Sequence, residues 1–322
     1  MISAATLKEL AARIGFSACG IAPAEPVAPW RAEELRAWLA EGCYGEMDYL
    51  ARNVDKKLDP RLLVEGARSV VSLAVNYYPG DEGFAPSQNG EEENAWRLAR
   101  YAYGTDYHDV VKQMLRELLA ALGLEEGTDG RCFVDTAPVD EKYWAVRCGL
   151  GWRGRHTQLI IPNAGSFFFL GELILTHECD AYDEPQRNRC GTCHACLDAC
   201  PTHALRGDGT MDARRCLSYL TIEYRGELPE EAQAKMSPCF YGCDRCAEVC
   251  PWNKRFARRT EVELLQPRPA ILAMKPEDWR HLTREKYQEL FRKSAVKRAK
   301  FEGLTRNLSA MDDTPTASED TL

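Results

Sequence analysis

The sequence predicts a mixed protein of the α+β or α/β class, followed by a compact cysteine-rich module and a helical, basic end. Three observations predict this. Helix-period and strand-period segments alternate through the first 177 residues, eight of the fourteen cysteines fall into one pattern between 190 and 250, and helical periodicity returns over 276–308. At 322 residues and 45% hydrophobic, the chain can bury the cores of two domains, or of one large domain with an insertion.

Ser3 caps a first helix whose apolar residues Leu7, Leu10, Ala11 and Ile14 recur at helical spacing, and Gly15 ends it. Beyond the loop around Pro60, Ser69 to Tyr78 reads as a strand. Residues 79–94, rich in Gly and Glu, read as a mobile surface loop. A helix from about Asp106 to Leu122, a short strand Arg131–Asp135, a helix from about Pro138 to Cys148 and strands near 157–161 and 166–175 complete an α/β sandwich over residues 1–177. The cysteine-rich module spans 178–256 and the helical segment 257–308, and residues 309–322 form an acidic, disordered tail.

Composition narrows the function. No apolar stretch reaches the roughly 20 residues of a membrane span. A net charge of −8 argues against coating nucleic acid non-specifically. The N-terminus shows no charged region followed by an apolar one, so the chain is expected in the cytoplasm, where disulfides are not expected.

The cysteines carry the chemistry. They run Cys190-x-x-Cys193-x-x-Cys196-x-x-x-Cys200-Pro201, then Cys216, then Cys243-x-x-Cys246-x-x-x-Cys250-Pro251. This is the spacing of a two-cluster ferredoxin, in which three close thiolates hold one [4Fe-4S] cluster and the Cys before Pro reaches the other. Cys190, Cys193 and Cys196 then share a cluster with Cys250. Cys200 joins Cys243 and Cys246, with Cys216 most simply the missing fourth ligand. Zinc ribbons space four thiolates as two separated pairs, which fits poorly. Cys190-Gly-Thr-Cys193-His194 matches a c-type haem attachment site, but the overlapping Cys196 and Cys200 suit a cubane better. Cys19, Cys43, Cys132, Cys148, Cys179 and Cys239 read as buried thiols.

Three features lie outside the clusters. Gly149-Leu-Gly151-Trp-Arg-Gly154 matches the dinucleotide fingerprint but follows a helix instead of a strand, so it reads as a glycine loop approached by a flat ligand or a neighbouring strand. Asp135, ending a strand, is either the cap of the next helix or a proton donor that burial near a neutral cofactor would raise in pKa. From Arg280 to Arg306, nine Lys and Arg face three Glu, with Tyr287, Phe291 and Phe301 between them. A solvated helix face is one account. The positive excess and the interleaved aromatics favour an anionic partner such as RNA.

With these residues in place, the chain resembles the epoxyqueuosine reductases, cobalamin-dependent iron–sulfur enzymes that complete queuosine in tRNA. The resemblance runs from the first helix to about residue 308. Its marks are Asp59-Pro-Arg-Leu-Leu, Tyr103-Gly-Thr-Asp-Tyr-His108, Val134-Asp-Thr-Ala-Pro138, Gly149-Leu-Gly-Trp152, Cys196-Leu-Asp-Ala-Cys-Pro-Thr202, Tyr241-Gly-Cys-Asp244, Cys250-Pro-Trp-Asn-Lys254 and Ser294-Ala-Val-Lys-Arg-Ala-Lys300.

The resemblance implies a nitroreductase-like cobalamin domain, a ferredoxin-like two-cluster module and reductive removal of the epoxide oxygen from epoxyqueuosine at the tRNA wobble position. Electrons would arrive singly from an external donor, and the Asp matching Asp135 would supply the proton. Cobalamin contacts are implied at Lys57, Asp135, Leu159, Leu170, Ser218 and Asp244. Ser218 and Asp244 adjoin ligands of the second cluster, so that cluster should face the corrin. The cofactor is expected as cob(II)alamin without a histidine below cobalt, because Asp106-Tyr-His108-Asp-Val-Val111 lacks the glycine of the histidine-on motif. The tRNA would lie on Arg292, Lys293, Lys297, Arg298 and Lys300.

Family members often continue into a helical-repeat domain, and this chain stops near 322. Cys239 stands where relatives carry a basic residue and reads as a bystander. Two other readings share the motifs: a reductive dehalogenase-like corrinoid enzyme, whose chains typically carry an export signal not visible here, and a non-catalytic electron carrier. A monomer is the simplest expectation.

Overall fold

The structure is a computed structural model that describes residues 1–81 and 96–312. The polar loop expected over 79–94 therefore lies outside the described residues except for its first three, and the acidic tail except for 309–312.

The first helix, α1 (Ala4–Ile14), is bounded as its sequence predicts: Ser3 Oγ accepts the Thr6 N–H and Gly15 closes the other end. Next come β1 (Ala18–Pro23), α2 (Pro29–Ala40), the short α3 (Val54–Leu58), β2 (Ser69–Asn76) and the two-residue β3 (Arg97–Leu98). Helix α4 (Tyr107–Ala121) is capped by Asp106, whose carboxylate accepts the His108 N–H at 3.1 Å. Strand β4 (Gly130–Phe133), helix α5 (Glu141–Arg147), the paired short strands β5 (Trp152–Arg153) and β6 (Leu159–Ile160), and β7 (Phe168–Leu175) follow.

Four of these strands form one sheet in the order β1-β2-β7-β4, every neighbouring pair antiparallel. Side-chain alternation sends Val71, Leu73 and Val75 of β2, with Phe169, Leu173 and Leu175 of β7, toward α1 and α4. Val70 and Ala74, with Leu170 and Ile174, face α2, α3 and α5 instead. Helices thus cover both faces, which is why β2 reads as an almost unbroken apolar run although its partners are antiparallel. The strand expected at 157–161 shrinks to two residues. Gly151 explains the glycine motif, since a Cβ there would fall 2.0 Å from the Ile160 carbonyl oxygen of the facing strand. The glycine is needed for close strand pairing.

The cysteine-rich segment carries α6 (Ala195–Asp198), α7 (Leu217–Ile222), α8 (Glu230–Gln233), β8 (Cys239–Tyr241), α9 (Arg245–Glu248) and α10 (Pro251–Phe256). After it come α11 (Pro269–Leu272), α12 (Pro276–Arg280), α13 (Arg284–Leu290) and α14 (Lys300–Asp312). Residues 309–312 end α14, so the coil expected to begin at 309 is helical to 312. Leu217, Phe240 and Tyr241 pack with Trp279, Phe291, Val296 and Leu304 in one core, so the cysteine-rich and C-terminal segments bury their apolar surface against each other. Asn253 fastens them to the sheet half: its Oδ1 accepts the Ser166 N–H at 2.6 Å and its Nδ2 donates to Ser166 Oγ and the Ala247 carbonyl. Among the described residues no helix is long and apolar enough to cross a membrane.

Candidate active site and cluster ligands

The eight motif cysteines come together as two groups. Cys250, Cys190 and Cys193 are the thiols that bear on Cys196, while Cys243, Cys216 and Cys200 bear on Cys246. Among the described residues no three His, Cys, Asp or Glu side chains converge as a single ion would require. A cubane needs less convergence, because each thiolate binds its own iron. Donors surround the sulfurs: Trp152 Nε1 donates to Cys190 Sγ at 3.4 Å and the Ala204 N–H to Cys200 Sγ at 3.3 Å. Such bonds tune a cluster's potential. Of the other six thiols, Cys43, Cys132, Cys148 and Cys179 are buried, whereas Cys19 and Cys239 are only partly so.

Asp135 leaves β4 in the left-handed region, at φ 48. It does not cap α5. Asp140 occupies that N-cap, and its own carboxylate is taken by Arg31 Nε at 2.6 Å. Asp135 Oδ2 instead accepts from the Tyr107 hydroxyl and from His108 Nε2 at 3.2 Å, and its backbone N–H donates to Glu141 Oε1. On the far side of the imidazole, His108 Nδ1 lies 2.7 Å from Asp106 Oδ1. More than half of the Asp135 side chain (55%) meets solvent, yet burial is the strongest single influence on its carboxyl. With Tyr107, His108 and Glu141 it forms one polar floor that is open to solvent at Asp135.

The electrostatics of that floor differ from the sequence expectation. Burial pushes the Asp135 carboxyl up, but the hydrogen bonds from His108 and Tyr107 outweigh it and hold the group below the usual aspartate range. Burial pulls His108 down, and its bonds to Asp106 and Asp135 more than reverse this, raising it to about 9. Burial and the Asp135 charge push Glu141 up to about 8. Near neutral pH the floor therefore holds an ionised Asp135, a protonated His108 and a neutral Glu141. The raised pKa expected for Asp135 belongs to its neighbours.

An aromatic wall connects this floor to the second thiol group. Tyr107 stacks on Phe169 with ring centroids 4.1 Å apart, and Tyr77 packs on the same ring at 4.5 Å. Tyr77 in turn lies beside Asp244 and Cys246, and Lys142 stands close enough to Cys216 to act on it. The group of Cys200, Cys216, Cys243 and Cys246 thus lies on the side of Tyr77 and Lys142. The other group sits beside Trp152 and Trp252, whose rings meet edge to face at 4.8 Å.

The six expected cobalamin contacts are distributed as follows. Lys57, whose pKa burial lowers, lines a cavity of about 610 Å³ together with Lys142 and feels the Asp135 charge. Leu159 and Leu170 are core residues packed with α5. Ser218 is half-buried on α7, two residues past Cys216. Asp244 accepts the Arg100 N–H at 2.6 Å and lies 3.7 Å from its guanidinium, while burial raises its pKa. His108 has both ring nitrogens engaged by carboxylates.

Arg292, Lys293, Lys297, Arg298 and Lys300 are all exposed. The aromatics between them are not: Tyr287 and Phe291 are buried, and Phe301 packs on Tyr287 at 5.5 Å. They belong to the core, and the expectation that they serve an RNA partner is corrected. Sequence reasoning also missed Tyr107 and Glu141. His108 was weighed only as a cobalt ligand, although its place two residues after Asp106 was a usable signal.

Comparison with known proteins gives the same picture. Residues 57–136 match the family model described as "Epoxyqueuosine reductase QueG, DUF1730", and residues 189–253 match a 4Fe-4S double cluster binding domain. The epoxyqueuosine reductase of Cellulophaga algicola is 43% identical over 94% of this chain and 95% of its own length. A crystal structure of an epoxyqueuosine reductase with an epoxyqueuosine-modified tRNA stem loop superposes with a TM-score of 0.85 at 28% identity, covering 95% of this chain and 80% of that one. The Bacillus subtilis enzyme, solved with the loop of its catalytic aspartate swung out of the active site, gives 0.82 at 28% identity over the same shares. This chain belongs to the epoxyqueuosine reductase family.

Proposed function

We propose that the chain is an epoxyqueuosine reductase that removes the epoxide oxygen of epoxyqueuosine in tRNA to give queuosine, using cobalamin and two [4Fe-4S] clusters. The observation that carries this reading is the Asp135 floor: a carboxylate held by Tyr107 and His108, with Lys142 acting on both it and Cys216 of the second thiol group. Residues 1–177 are read as a nitroreductase-like cobalamin unit, 178–256 as a ferredoxin-like cluster unit, and 257–308 as the helical segment that meets RNA. The two cores on either face of the sheet support the first unit.

Cobalamin would occupy a chamber between this floor and the second thiol group, since Lys142 acts on both Asp135 and Cys216. Lys57, Asp135, Ser218 and Asp244 would hold it, with Leu159 and Leu170 behind. When bound, cobalamin would supply strongly reducing cobalt, and clusters held by the eight motif cysteines would supply single electrons from an external donor. Opening an epoxide to an alkene takes two electrons and two protons and releases water. His108 holds one of those protons against Asp135 Oδ2, and Asp135 hands it to the departing oxygen. Asp106 fixes the imidazole for this transfer. Glu141 holds the loop through the Asp135 N–H and, being neutral, adds no second charge. The swung-out loop of the Bacillus subtilis relative supports reading this loop as a moving part.

The tRNA is read as lying on Arg292, Lys293, Lys297, Arg298 and Lys300 through its phosphates. The protein is read as a cytoplasmic monomer. Anaerobic reconstitution with iron, sulfide and cobalamin, followed by mass analysis of tRNA from a strain lacking the activity, tests the whole: epoxyqueuosine should lose one oxygen. Intact epoxyqueuosine with a fully loaded protein and a low-potential donor would refute it.

A further inference from the structure

The segment 44–50 is pinned to the cluster module by contacts that leave one aromatic ring outside every core. Gly45, at φ 61, lies against the Tyr219 ring so closely that a Cβ would sit 2.4 Å from its hydroxyl. The Glu46 N–H donates to that hydroxyl at 2.8 Å, and Glu46 Oε2 accepts the Arg225 N–H. Arg225 in turn donates to the Arg298 carbonyl at 2.9 Å. These bonds bring Tyr49 beneath Arg298, whose guanidinium carbon stands 5.3 Å from the ring centroid. Glu223 receives Arg298 in a fork, at 2.8 and 2.7 Å, and so fixes the plane of the guanidinium.

Tyr49 is 47% exposed and joins none of the hydrophobic clusters. An aromatic ring held in place at the surface by an oriented Arg has no packing role to explain it. Its position supplies one. Leu50, the next residue, lines the cavity shared by Lys57 and Lys142. The Asp135 charge also reaches the Tyr49 hydroxyl, adding to the effects of burial and Glu223. The ring thus stands beside both the basic segment and the cavity that Lys57 and Lys142 line.

We propose that Tyr49 and Arg298, backed by Glu223, form a stacking platform for an unpaired RNA base beside the nucleotide that enters the chamber. Unpaired bases are bound on aromatic rings and guanidinium planes, and an anticodon loop offers such bases on both sides of its wobble nucleotide. The inference rests on the tRNA reading above.

The test is binding of an epoxyqueuosine-modified anticodon stem loop to the cluster-loaded protein at several salt concentrations. Tyr49→Ala should weaken binding about tenfold. It should leave the salt slope unchanged, because no phosphate contact is lost, and Tyr49→Phe should bind like the parent. Lys297→Glu, in contrast, should flatten the salt slope. Parent-like binding by Tyr49→Ala, or an equal loss in Tyr49→Phe, would overturn the platform. A parent protein that shows no affinity for the stem loop would sink the tRNA reading itself.

Discussion

The two faces of the central sheet are made by the same strands and differ in everything else. Toward α1 and α4 the side chains are apolar, with Leu73, Val111, Leu115, Leu118 and Leu173 all fully buried. Toward α5 the same strands place Ser72 opposite Glu172, joined at 3.1 Å, and the second Glu172 oxygen finds no partner among the described residues. Burial, with Glu141 nearby, raises the Glu172 pKa well above the usual range, so this carboxyl is kept neutral. Both faces carry a core, but the one toward α5 also holds the buried pair of Ser72 and Glu172, on the side where Asp135 and Glu141 lie.

This contrast can be broken from either side. The largest effect is expected on the chamber side: Asp135→Ala should lower turnover by roughly 10² to 10⁴ while leaving cluster absorbance and thermal midpoint near the parent's. A parent-like rate would remove Asp135 from the proton path. On the apolar face Leu115→Ala should cost about 2–5 kcal/mol in urea unfolding and leave the turnover of folded protein unchanged. A stability loss well under that range would mean the face is loosely packed.

Smaller changes sharpen the comparison. His108 is raised to about 9 from an ordinary 6.5, so activity that needs its proton is complete at low pH and lost as pH rises through about 9. The stability from its two carboxylate bonds follows the same course, full below about 6.5 and gone above 9. Asp106→Asn removes one of those carboxylates and should move the alkaline limb down by about one pH unit. An unmoved limb would assign it to another group. The smallest effect belongs to Glu172→Gln, about 1 kcal/mol and equal at pH 6 and pH 8, because it exchanges one neutral group for another. A cost that grows between those pH values would show an ionised Glu172.

What the sequence revealed follows from the range of the interactions involved. The limits of α1 and the start of α4 near Asp106 are local and were legible, as was the strand that ends beside Asp135. Strand β1, Ala-Cys-Gly-Ile-Ala-Pro, lacks the β-branched run that announces a strand and is held by its register against β2. Tyr287 and Phe291 are four residues apart, the spacing of one buried helix face, and their basic neighbours made them resemble an RNA surface. The Asp135 floor joins α4, the β4 end and α5, and the Tyr49 ring meets a residue 249 positions away, as the numbers 49 and 298 show. No local pattern encodes such meetings.

The backbone of Asp135 limits which residues could stand there. At φ 48 most side chains crowd their own carbonyl, and glycine, asparagine and aspartate are the residues that enter this region most readily. Of these three only aspartate can carry a proton. Glutamate offers the same chemistry on a longer arm, but its extra methylene brings none of the local hydrogen bonding that eases the left-handed turn. Substitution at this position is therefore filtered twice, once by the shape of the chain and once by acidity, and aspartate passes both filters.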